Sequence, residues 1–184
     1  MSSNPFEAPS YNSDVASEST DGEVLAGRFT RFAAAFADGL LILLVVLPVQ
    51  YFSGYFERAA AQSLTIPEQL IMTLLYPLMQ LILNGFPLAG RGQTIGKILS
   101  GIQIIGVNSS GLLPFFKVFV LRYLWLLPVN LVAVFVPVPA MGLFIGVIGL
   151  LDALLIFGGD RRCLHDYIAG SRVVMYKEGR KKMA

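Results

Sequence analysis

Two aspartates sit inside long apolar runs, Asp38 in FAAAFADGLLILLVV and Asp152 in GLFIGVIGLLDALLI. An ionised side chain at such a position costs about 2.5–3.5 kcal/mol by membrane-insertion scales, so each needs a reason. Arg122 lies in a third apolar run, and Gln80 and Asn84, four residues apart, share one helix face of another. Arg31 precedes Asp38 by seven residues, two helical turns, which places both on one face about 10 Å apart. Two chemistries fit this set. One is a cytoplasm-facing cation or proton site, with Asp38 as the carrier, Arg31 and Arg122 tuning it, and Asp152 as a second relay carboxylate. The other is a buried ion pair that sets helix register, in which Arg122, arriving from a neighbouring helix at the same depth, is the expected partner of Asp38.

Other candidate motifs carry less. GRGQTIGK (90–97) resembles a phosphate loop, but the spacing to Gly96-Lys97 is one residue too long and Ile98 stands where Ser or Thr is required. His165-Asp166 suggests a catalytic dyad. There is no second histidine to build a metal site, and no nucleophile is placed by spacing, so a hydrogen-bonded structural pair near the membrane surface is expected. The lone Cys163 excludes an internal disulfide. The pattern points to no enzyme, no cofactor, no metal and no nucleic-acid partner.

The elements that must hold these residues follow from composition. Only 14% of the 184 residues are charged and mean hydropathy is +0.66, whereas a soluble domain carries about 25% charged residues. Four stretches reach the roughly 20 apolar residues of a membrane span, at about 32–53, 68–89, 115–136 and 140–158. Thr65 and Pro67 suit the start of the second. Pro137 and Pro139 divide the third from the fourth as a tight helical hairpin. Gly142, Gly146, Gly149 and Ala153 form a small-residue stripe that permits close helix approach, and Asp152 beside it is expected to face a helix interface.

Thirteen of the fourteen Lys and Arg fall on one side of this arrangement, with Arg58 alone on the other. That bias puts both termini in the cytoplasm and brings Asp38, Asn84, Arg122 and Asp152 to one depth near the inner face. The expected fold is an all-α membrane protein, a bundle of four transmembrane helices. Residues 1–24, with no Lys or Arg, read as a disordered polar tail, and 178–184 as a basic tail that can touch anionic lipid. Residues 102–107 and 171–176 are rich in β-branched residues, and are expected to pair as a small cytoplasmic β element. The lipid bilayer is the implied partner. Four short spans make a thin pathway, which implies a homo-oligomer if the protein conducts a monovalent cation or proton. The competing reading is a non-catalytic scaffold or assembly partner.

RFTRFAAAFADGLLI (28–42), GQTIGKILSGIQII (92–105), VLRYLW (120–125) and RRCLHDYIAGSRVV (161–174) together resemble the RDD family of bacterial membrane proteins, over about residues 24–177. By this resemblance Arg31 is the family arginine, Asp38 its first aspartate and Asp166 its second. Gly96, Lys97 and His165 belong to the motifs on the cytoplasmic side. Cys163 and Ser171 stand where Thr is usual. The resemblance implies a multi-pass protein of the bacterial inner membrane. Transport has been proposed for the family, while eukaryotic relatives resemble assembly factors of membrane quality-control complexes.

Overall fold

A computed structural model of the chain describes residues 23–108, 111–136 and 140–180. It is mostly helical. Helix α1 runs Arg28–Phe52, and α3 runs Ile66–Arg91, joined through the short helix α2 at Tyr55–Ala60, which the sequence reading did not anticipate. Both long helices are apolar and long enough to cross a membrane. The start of α3 is built as expected. The Thr65 side chain accepts from the Glu68 amide, and Glu68 accepts from the Thr65 amide, a reciprocal cap that satisfies two otherwise open donors.

The buried residues of α1 are Arg31, Ala34, Asp38 and Ile42, a stripe at helical spacing. On its other faces Leu43, Leu44 and Phe36 are exposed, an outer surface suited to lipid rather than water. In α3 the buried residues are Gln80, Asn84, Gly85 and Leu88, all in the C-terminal half. The interior of these helices is therefore polar at one end.

Helix α4 (Ile95–Leu99) follows α3 after a turn at Gly92, whose φ of 63° lies in the left-handed region that glycine adopts without strain. It packs tightly on α1. A Cβ added at Gly96 would stand 2.1 Å from the Ala34 carbonyl oxygen and 2.9 Å from Asp38 Cγ, so only glycine fits there.

The third apolar stretch is not one straight helix. It comprises α5 (Phe115–Val118), a π-helical turn at Phe119–Tyr123, and α6 (Leu127–Phe135), with a 46° bend between its halves. Pro128 lies in the first turn of α6, where its missing N–H costs nothing. The fourth stretch forms α7 (Ala140–Leu154) and a 3₁₀ turn at Leu155–Phe157. Fifteen α-helical residues rise only about 22 Å, short of an apolar core about 30 Å thick. Two helices, or three if the bent pair counts as one span, thus meet the length requirement, rather than the four expected. The proline turn at 137–139 lies outside the described residues.

The glycine stripe of α7 does not serve as expected. A Cβ at Gly142, Gly146 or Gly149 would meet nothing within 4 Å, so no helix among the described residues approaches it closely. Asp152 nevertheless turns inward, toward α8 (Leu164–Ala169).

The expected β element is present. Strands β1 (Ile102–Gly106) and β2 (Ser171–Met175) pair antiparallel from Ile102↔Met175 to Gly106↔Ser171. The chain before α1 adds to the other edge of β2 through a Leu25↔Val174 bridge. Glu23 pairs with Arg180, which also bonds Gln103. The described end of the N-terminal tail and the start of the basic C-terminal tail therefore belong to the cap, because β2 offers an open edge that Val24 and Leu25 can satisfy. Residues 1–22 and 181–184 lie outside the described residues. Ile102, Ile104, Ala26, Val173 and Leu88 form the core that joins this cap to the helices.

Candidate functional site

The polar residues collect into two adjoining clusters, and the pairing differs from expectation. Asp38 does not meet Arg122. Its Oδ2 accepts from the Thr94 hydroxyl at 2.5 Å, its Oδ1 accepts from the Gly96 amide at 2.7 Å, and Lys97 Nζ lies 3.6 Å away. Helix α4 lies against α1 at this depth, so its first turn reaches Asp38 before any guanidinium can. The phosphate-loop look-alike thus presents its amide to a carboxylate of the same chain. Thr94, missed as a site residue, stands at the N-cap of α4, a signal legible in GQTIGK.

Asp166 is the centre of the second cluster. It is completely buried and paired with both Arg31 and Arg122. Arg31 Nη2 donates to Oδ2 at 2.5 Å, and the Ser171 hydroxyl donates to Oδ1 at 3.0 Å. Oδ2 also accepts from the Cys163 amide, closing the first turn of α8. The π-helical turn buries Arg122 together with Val118 on the same side. One carboxylate therefore ties the first apolar helix, the third and the C-terminal cap together. Arg31 and Asp38 share the buried stripe of α1 but serve different partners.

His165 is paired with Asp152 rather than with Asp166. Asp152 accepts from the His165 amide at 2.9 Å and contacts Nδ1 at 2.7 Å, while His165 Nε2 is 3.8 Å from Asp166. Burial lowers the His165 pKa to about 4. Arg122 pushes the same way, and the Asp152 carboxylate only partly opposes them. The imidazole is neutral near pH 7. Burial also raises the Cys163 pKa, which disfavours the thiolate. Ligand atoms of Cys163, His165 and Asp166 lie within 4.8 Å of one another. Two guanidiniums nevertheless occupy both oxygens of Asp166, so a dication would face strong like-charge repulsion.

Asn84 Oδ1 accepts from the Ile95 amide at 2.8 Å, and Asn84 Nδ2 donates to Gln80 Oε1 at 3.1 Å, the i, i+4 pair expected on α3. Gln80 and both clusters border one cavity of about 720 Å³. Asp38, Lys97, Arg31, Arg122, Asp152 and His165 contribute its polar side. Phe29, Phe32, Tyr76, Leu154 and Phe157 contribute an apolar side. Asn84 and Asp166 are bonded behind the lining and do not border the cavity.

No match was found among curated proteins or among solved structures. The sequence profile of the RDD family matches residues 25–170, which covers α1 through α8 and all the residues of both clusters except Ser171. With the apolar helices and this arrangement of arginines and aspartates, the chain belongs to the RDD family of membrane proteins.

Proposed function

We propose that the protein moves a small solute or ion across the bacterial inner membrane, as a multi-pass bundle with both termini in the cytoplasm. The cavity between α1, α3 and the end of α7 is its binding site. One observation carries this reading: side chains from residue 28 to residue 165 converge on a single cavity that has both an ionisable and an apolar side. Ionisable groups at membrane depth that face a cavity default to a functional role. In the cation–proton exchange version, Asp38 must release Thr94 and Lys97 in each cycle. The lipid-embedded protein would work as a homo-oligomer if each copy supplied one thin pathway. Reconstitution into proteoliposomes tests the proposal. Sodium- or potassium-driven proton flux lost in Asp38→Asn supports the exchange version. Absence of flux for ions and for a panel of labelled solutes rejects transport.

A scaffold or assembly role is the second reading. The observation that favours it is the complete pairing of Asp166 with Arg31, Arg122 and Ser171, which joins distant elements without exposing a charge. Purification in mild detergent would then recover a stoichiometric partner. A protein that is always recovered alone, with measurable flux, decides against it.

A further inference from the structure

The hydrogen-bonding capacity left over around the cavity shows what it can accept. A backbone amide can only donate, so the Ile95 N–H fixes Asn84 with Oδ1 toward it. Asn84 Nδ2 must then donate to Gln80, which fixes Gln80 with Oε1 toward Asn84. Gln80 Nε2 is left as a donor. That atom is buried and has no hydrogen-bond partner among the described residues, and Gln80 is one of the residues that line the cavity. An unpaired buried donor is costly, so an acceptor there is favoured.

The acceptors are already taken. Asp38 is engaged by Thr94, Gly96 and Lys97, and Asp152 accepts from His165 through both oxygens. The cations exceed the anions. Arg28, Arg31, Lys97 and Arg122 border the cavity against Asp38 and Asp152. With Asp166 counted behind them and His165 neutral, a positive charge remains. Arg28 meets only the carbonyls of Ile156, Phe157 and Gly158 and has no carboxylate partner among the described residues. Phe29, Phe32, Leu154 and Phe157 add apolar lining, and the volume of about 720 Å³ lies within the roughly 300–1,000 Å³ typical of small-molecule pockets.

We propose that this cavity binds a single-chain amphiphile with an anionic head, the acid group against the arginines and Gln80 and the chain along the aromatic wall. This inference names the substrate class of the site proposed above and rests on that reading of the cavity. The carboxylate oxygens at the cavity already accept hydrogen bonds, whereas an anionic head would meet a lining with excess positive charge beside the unpaired Gln80 amide.

The test uses the full chain in phosphatidylcholine nanodiscs and a long-chain fatty acid bearing a photoreactive diazirine. Labelled peptides are mapped by mass spectrometry. Competitors of equal chain length are palmitate, lysophosphatidylglycerol, lysophosphatidylcholine and hexadecyltrimethylammonium. Labelling is expected on the inward face of α1 and on residues 154–157, and the anionic competitors should act at least tenfold more strongly than the choline and ammonium ones. Palmitate and lysophosphatidylglycerol separate a free acid from a phospholipid source. Gly39 borders the cavity and a Cβ there meets nothing within 4 Å, so Gly39→Phe should fill the cavity and abolish labelling without disturbing the ion pairs. Arg28→Gln should weaken the anionic competitors at least threefold and leave hexadecyltrimethylammonium no weaker. Cavity labelling displaced best by the ammonium compound overturns the charge class but keeps the cavity as a binding site. Labelling spread over the lipid-facing surface and indifferent to Gly39→Phe overturns the amphiphile. Ion flux that Gly39→Phe blocks would still leave the transport reading standing in that case.

Discussion

A single carboxylate, Asp166, holds two buried guanidiniums. Removing its charge leaves Arg31 and Arg122 facing each other in a dry interior, and breaking a buried pair in this way costs about 3–5 kcal/mol. Asp166→Asn is therefore expected to lower the melting temperature in detergent far more than Asp152→Asn, whose partner His165 is neutral at pH 7. Equal shifts for the two variants would show that the Asp166 cluster is not the main tie. His165 makes a pH-dependent contribution of definite sign. Its native pKa of about 4 lies below the ordinary 6.5, so between those values the unfolded chain binds a proton that the native imidazole refuses. Its contribution is constant above pH 6.5 and turns unfavourable as pH falls toward 4, by at most about 3 kcal/mol. Thermal unfolding at pH 7.5 and pH 5 should show this loss, and His165→Gln should remove that part of the slope.

At the scale of elements, the tightest joint is α4 on α1. Gly96→Ala would drive a methyl group into the Ala34 carbonyl and displace the amide that Asp38 accepts from. The expected cost is about 1–3 kcal/mol, the usual range for overpacking. Gly90, in α3 with open space around it, is the control: Gly90→Ala should be neutral or stabilising by up to about 1 kcal/mol. Chemical unfolding of the two variants side by side measures the difference. The cap was more legible than the bundle. The β-branched-rich segments at 102–107 and 171–176 signalled the pairing, because side chains that suit a pleated strand are a local property of each segment. The bend after Tyr123 was not legible. A hydropathy window sums apolar residues without reporting whether the helix is continuous, and Pro128 alone permits either outcome.

At the scale of the whole molecule, the proposed orientation makes a direct prediction. With Ser63 on the outer side and Lys177 on the inner side, a membrane-impermeant maleimide should label Ser63→Cys in intact cells and Lys177→Cys only after permeabilisation. The native Cys163 is buried and should stay silent in both. Labelling of Lys177→Cys in intact cells would reverse the orientation. The same experiment on the α7 side matters most, since α7 is short and its glycine stripe has no neighbour among the described residues.

The sequence by itself determined the material and the inventory: apolar helices that carry ionisable residues, a helix start after Thr65, a two-stranded element, and the family. These are local or additive properties, readable from composition, period and the position of a few side chains. Only the tertiary structure decided the partners. Arg122 and Lys97 both carry one positive charge, and nothing in their spacing says which reaches Asp38. The packing of α4 on α1 through Gly96 gave Asp38 to Thr94 and Lys97, and the π-helical turn gave Arg122 to Asp166. Ion pairing in a low-dielectric interior depends on separations of a few ångströms, and those are set by how helices pack, not by how residues are spaced along them.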